Sequence, residues 1–171
     1  MQEMSMAISV IKPKIHVRGR DAKYRALVRK AASWMISDLV SQKLSQKLII
    51  KIHLIRLLHM NEHIFGDCEW IDDNKRPKEF VIRLYAGPNR KRTLKTLAHE
   101  LIHVKQFAKR EMYDHIQNID LVTWKGQRVD STVVDYIDQP WEKEAYDMEI
   151  PLLNKWAVST GNEKYVWRSK R

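Results

Sequence analysis

Thr93-Leu94-Lys95-Thr96-Leu97-Ala98-His99-Glu100-Leu101-Ile102-His103-Val104-Lys105-Gln106-Phe107 decides how this chain is read. Leu94, Leu97, Ala98, Leu101, Ile102, Val104 and Phe107 recur at helical spacing and make a broad apolar stripe. The segment from Thr93 to Met112 is therefore expected as a helix, with Thr93 as its N-cap. On that helix sits His99-Glu100-Leu101-Ile102-His103. Residues four apart on a helix project about 40° from one another and one turn up, so both imidazoles can reach one ion. Glu100 is rotated about 100° from His99, beside such an ion rather than on it, where it can take a proton from an activated water.

Working backward, Glu79 to Ala86 has strand composition, as do Cys68 to Ile71 and Leu48 to Leu58. Asp72 to Pro77 has turn chemistry and makes the last two strands an antiparallel hairpin. Upstream, Tyr24, Leu27, Val28, Ala31, Ala32, Met35 and Leu39 describe an amphipathic helix over about 21 to 46. Working forward, Leu121 to Trp124 and Gln127 to Thr132 flank Lys125-Gly126 as a second hairpin. Pro140 then opens a helix with Trp141, Ala145, Met148 and Leu152 on one side, which Pro151 is expected to kink or end.

The whole is an α+β chain: an N-terminal helix, a small and mostly antiparallel sheet, the two-histidine helix, a hairpin and a final helix. Its 171 residues fit one domain, with 1–20 and 160–171 as frayed termini. Hydrophobic residues make up 44% and charged residues 30%, enough for a core and too ordered a mix for a disordered chain. The single cysteine, Cys68, excludes a disulfide scaffold or multi-cysteine zinc module and is expected as a small buried hydrophobe in an intracellular protein. No apolar run approaches a membrane span, and the start lacks the polarity of a secretory signal.

The final helix supplies a third ligand. If Ala145 packs against the histidine helix, Glu142 three residues earlier shares its face, whereas Glu144 lies about 100° away; Glu142 is favoured, and Glu144 and Glu149 are expected toward solvent. His53, His59 and His63 lack an acidic residue at the corresponding place. Trp124, Trp141, Trp156 and Trp167 read as core or hairpin aromatics, since no basic residues interleave with them.

Leu97-Ala98-His99-Glu100-Leu101-Ile102-His103 followed by Glu142-x-x-Ala145 resembles the gluzincin branch of zinc metallopeptidases, the small ImmA/IrrE-type members being most similar. The resemblance covers about 93 to 153. It implies a minimal zincin-like domain and a zinc-dependent endopeptidase holding one Zn2+ per chain on His99, His103 and Glu142. It further implies Glu100 as general base, Glu79 to Ala86 as a substrate-pairing edge strand, and an oxyanion donor among Tyr136, Tyr113, His115 and Tyr146. Many gluzincins carry Asp or Asn after that alanine to hydrogen-bond a ligand histidine; here the position is Tyr146, and Asp147 would serve only after a helix shift.

Charge adds an alternative. Residues 1–60 hold 12 basic and 3 acidic groups, whereas 111–171 hold 8 and 11. The basic residues of 12–56 could engage nucleic acid beside a peptide or protein substrate, so the runner-up reading is a DNA-associated SprT-like protease or a basic nucleic-acid-binding protein with a structural metal site. SprT-like zincins usually use a third histidine, and the next one after His103 is His115.

Overall fold

Alternation of Ile50, Ile52 and Leu54, and of Phe80, Ile82 and Leu84, puts six apolar side chains on one face of a sheet, and all six are buried in the computed structural model. The model describes residues 12–56, 65–115 and 118–168. The elements are β1 (Lys14–Arg18), α1 (Ala22–Leu39), the single turn α2 (Gln42–Ser45), β2 (Ile49–Ile55), β3 (Gly66–Trp70) and β4 (Glu79–Tyr85). They continue with α3 (Arg90–Ala108), β5 (Met112–His115), β6 (Asn118–Trp124), β7 (Gln127–Asp130) and α4 (Pro140–Ser159). Two sheets result, one with strand order β1-β2-β4-β3 and one with order β5-β6-β7.

The α+β class is as expected, with β1, α2 and β5 added to the expected elements, but the sheet expected to be mostly antiparallel has two parallel pairings of three; only the β5-β6-β7 sheet is wholly antiparallel. The four-stranded sheet is thus mixed, because β1 and β4 both run parallel to β2. β1 lies within the stretch expected to fray. Its Ile15 and Val17 alternate with Lys14, His16 and Arg18, but five residues are too few to announce a strand whose partner, β2, is 35 positions away. β4 is interior, between β2 and β3, so the edge beside α3 is β3 and not Glu79 to Ala86. The other end expected to fray, from residue 160, carries a 3-10 turn at Glu163–Tyr165, where Tyr165 stacks on Trp156 at 5.9 Å.

Caps account for most boundary differences. α1 stops at Leu39 because Ser41 starts α2, its hydroxyl accepting from the Leu44 amide; Asp21 caps α1 through the Tyr24 amide. Asn89, not Thr93, caps α3. The Thr93 hydroxyl instead donates to the Tyr85 carbonyl at 3.1 Å and accepts from Tyr24 Oη at 2.8 Å, tying α3 to β4 and α1. α3 ends at Ala108, past which Arg110 takes a positive φ and Met112 enters β5. The β6–β7 turn is Lys125-Gly126, both at positive φ, as a two-residue hairpin requires. α4 runs through Pro151, since Pro151 and Asp147, whose carbonyl loses its helical partner, are both exposed and water can replace the bond.

α1 and α3 cover the sheet's apolar face, and α4 crosses behind α3. Ala98 and Ala145 are fully buried, and α3 and α4 are the most closely associated pair of helices, so the small side chains let the two backbones approach. That seam holds the polar groups described next. Among the described residues no helix is long and apolar enough to cross a membrane.

Candidate metal centre

His99, Glu100 and His103 are each exposed by 7% or less, on the stretch of α3 that faces α4. Glu142, in the first turn of α4, is equally buried. Its Oε2 is 3.2 Å from His99 Nε2, its Oε1 is 3.3 Å from His103 Nε2, and the two Nε2 atoms are 3.2 Å apart. A tetrahedral ion with ligand bonds of about 2.0–2.1 Å places neighbouring donor atoms about 3.3–3.4 Å apart. The three side chains thus hold donor atoms at the separation a metal ion requires, and together they could hold one.

Hydrogen bonds on the far side of each ring settle where the protons sit. His99 Nδ1–H donates to Glu149 Oε2 at 3.1 Å, and His103 Nδ1–H donates to Gln106 Oε1 at 2.8 Å. The Gln106 amide is oriented by its own Nε2, which donates to the Trp141 carbonyl and to Glu144 Oε2, both at 3.0 Å. Glu149 is anchored by Lys95 Nζ at 2.9 Å. Both Nε2 lone pairs therefore face the Glu142 carboxylate, and three buried acceptors aimed at one point require a positive charge between them, either protons or a metal ion.

The electrostatics carry the same signature. Burial works to lower the His99 pKa, but hydrogen bonding to Glu142 and Glu149 outweighs it and lifts the ring to about 9. Burial opposes protonation of His103 too, and Glu142 and Glu100 raise it. Burial would raise Glu142, yet its bonds to His103 and His99 bring it down to about 2. Glu100, outside the triad, is pushed up by burial to about 7 against the pull of the two imidazoles.

Glu100 lines a small cleft of about 110 Å³ with Phe65, Gly66, Thr96, Tyr136 and Tyr146. A Cβ on Gly66 would lie 2.7 Å from Thr96 Cγ2 and 3.0 Å from Glu100 Oε1, so only glycine lets the β3 backbone come this close to Glu100. Tyr136 is 60% exposed overall, yet its hydroxyl end faces the site, where burial and the Glu142 and Glu100 carboxylates hold it protonated. The Tyr146 ring lies 4.8 Å from that of His99.

Of the four tyrosine and histidine side chains considered as donors, Tyr136 and Tyr146 reach this cleft. Tyr113 and His115, on β5, line a separate groove beside Trp70 and Phe107. Cys68 is half-buried on β3, and burial pushes its thiol pKa up, making it unreactive. His59 and His63 lie outside the described residues. Glu144, also expected toward solvent, is instead partly buried: it is outside the triad but accepts from the Gln106 amide that holds His103, and it bridges Lys105 and Lys125 at 2.9 and 2.8 Å.

Glu149 corrects the expectation of a solvent-facing residue: it is 4% exposed and takes the histidine-orienting role assigned by resemblance to the position of Tyr146. Its spacing explains this, since residue i+7 returns to the face of Glu142 after two turns. Gln106 and Lys95 were also missed, although each lies one turn from a ligand histidine on the same helix. Gly66 left no sequence signal, because its approach to Glu100 is a contact between strand and helix. No protein-family model, curated protein or solved structure matches the chain.

Proposed function

We propose that this chain is a zinc-dependent endopeptidase of zincin type, with His99, His103 and Glu142 holding the metal and Glu100 as general base. The observation that carries the reading is the position of Glu100: buried, beside the triad rather than in it, with a pKa near 7, next to a strand edge. A base titrating near neutrality can both accept and return a proton. A divalent ion in the triad supplies Lewis-acid polarisation of the scissile carbonyl and of water.

The chain's own groups do the rest. β3 is hydrogen-bonded only to β4 among the described residues, so its outer edge can take an extended peptide as an added strand. Glu100 accepts a proton as the water oxygen bonds to the carbonyl carbon, then delivers it to the nitrogen as the C–N bond breaks. The Tyr136 hydroxyl, kept protonated, can donate to the carbonyl oxygen as negative charge develops there.

The test is metal analysis joined to hydrolysis of a quenched fluorescent peptide mixture, with and without chelator. Glu100→Gln should retain one metal per chain and lose at least about 100-fold in rate. Gly66→Ala should also retain metal and lose about 100-fold, because β3 must move away from Glu100. Undiminished hydrolysis by Glu100→Gln would remove the proposed base.

A further inference from the structure

A groove of about 760 Å³ lies away from the metal triad, between α1 and the C-terminal end of α4. Its walls include the Trp34 and Trp156 rings, and Lys12, Arg29 and Lys30 stand on its rim. Trp34 is half-buried, one turn after Lys30 on α1. The one carboxylate in the groove, Asp38, is held by Lys155 Nζ at 2.6 Å, and that same ammonium lies 5.9 Å from the Trp34 ring. Lys12, Arg29 and Lys30 have no ion-pair partner among the described residues.

That isolation extends beyond the groove. Twelve Lys and Arg residues lie in 12–56, and among the described residues none is in an ion pair. Elsewhere seven of the seventeen described Lys and Arg residues, Arg83, Lys95, Lys105, Lys109, Lys125, Lys143 and Lys155, have carboxylate partners. Arg25 donates to the Gly19 and Arg20 carbonyls and Arg18 bonds His53, but no ion pair among the described residues neutralises the basic excess of the first third.

We propose that this groove binds single-stranded nucleic acid, with a base stacked on Trp34 and backbone phosphates held by Lys12, Arg29 and Lys30. Cations without ion pairs among the described residues, around a partly exposed aromatic ring, are what a stacked base with flanking phosphates requires, and a stacking ring makes the site tolerant of sequence. An acidic peptide would use the cations and leave the ring without a partner. The groove ends near Thr160, 18 residues along α4 from Glu142, which is about 27 Å of helix. Binding there leaves the metal site open and does not rest on the peptidase reading.

The test is fluorescence anisotropy of a labelled oligothymidylate of about 20 nucleotides against the full chain. Three phosphate contacts predict a log–log salt slope of about −2, or an affinity loss of about 20-fold between about 50 and 200 mM salt. Arg29→Ala with Lys30→Ala should weaken binding about tenfold or more and bring the slope below about 1 in magnitude. Trp34→Leu should weaken it at least about fivefold with the slope unchanged, while Trp34→Phe, which keeps a ring and the packing, binds within about twofold of wild type. Thermal midpoints check that each variant is folded. Absence of binding at low salt, or affinity unchanged in both the cation and the ring variants, overturns the proposal. So does equal competition by polyglutamate or phosphatidylserine vesicles, which would make the groove a general anion surface.

Discussion

The α3–α4 seam and the surface of residues 12–56 are both rich in charge and obey opposite rules. In the seam, Lys95, His99, His103, Lys105, Gln106, Glu142, Glu144 and Glu149 form a connected set in which each group has a named partner. On the N-terminal surface, twelve cations share two carboxylates in the same stretch, and Arg18 even sits in register with His53 across β1 and β2, its guanidinium 3.1 Å from the ring. Burial explains the contrast. A buried polar group without a partner costs about 1–3 kcal/mol, so positions in the seam dictate one another, whereas water and salt absorb a surface charge at little cost. Geometry in the seam is therefore informative about chemistry; on the surface only the absence of partners is.

The hardest test of that contrast is Glu142→Ala, which leaves two buried imidazoles without a counter-charge. Metal affinity, read by competition with a chromophoric chelator, should fall at least about 1,000-fold. Unchanged affinity would remove Glu142 from the ligand set.

Glu149→Gln comes next. It keeps an acceptor for His99 Nδ1–H but removes the charge that Lys95 anchors, so affinity should fall about 10- to 100-fold with the fold intact. A loss as great as that of Glu142→Ala would mark Glu149 as a direct ligand.

Glu111 tests the rim of the seam by pH. Burial opposes its ionisation, but Lys105 and Lys109 outweigh burial and hold its folded pKa below the usual carboxylate value of 4.5. Its contribution is present above that unfolded value and is lost as pH falls through the lower folded one. Glu111→Gln should therefore cost roughly 1 kcal/mol at neutral pH and flatten the decline of stability below about pH 4.5 in thermal or urea unfolding. An identical acid limb in both proteins would show that the pairs contribute nothing.

The smallest expected effect belongs to the other region. Arg29→Ala with Lys30→Ala should change unfolding free energy by less than about 0.5 kcal/mol and leave metal content as it was, since neither side chain is in an ion pair among the described residues. A loss of several kcal/mol would show that these cations belong to the folded framework after all.

The residues of the metal centre were legible early because a helix is a local object. His99 and His103 meet through spacing alone, and Ala145 identified Glu142 by the demand for close helix packing. The same reasoning stopped at Glu149, where one more turn of the same face was needed, and the resemblance placed the edge strand at β4, since β3 differs from it by pairing and not by composition. Boundaries moved where a cap competed with periodicity, as Ser41 and Asn89 did.

What the amino-acid order determined by itself is the α+β class, the two-histidine helix and which carboxylate answers it, because periodicity and turn chemistry act over a few residues. Only the tertiary structure decided that β1 joins the sheet in parallel, that Gly66 presses β3 against Glu100, and that Glu149 and Gln106 aim the two imidazoles. It also decided that Trp34 shares a groove with cations that have no ion pair among the described residues. Each of these is a contact between residues distant in the chain, chosen by what must be buried together and satisfied there, and no local pattern carries that information.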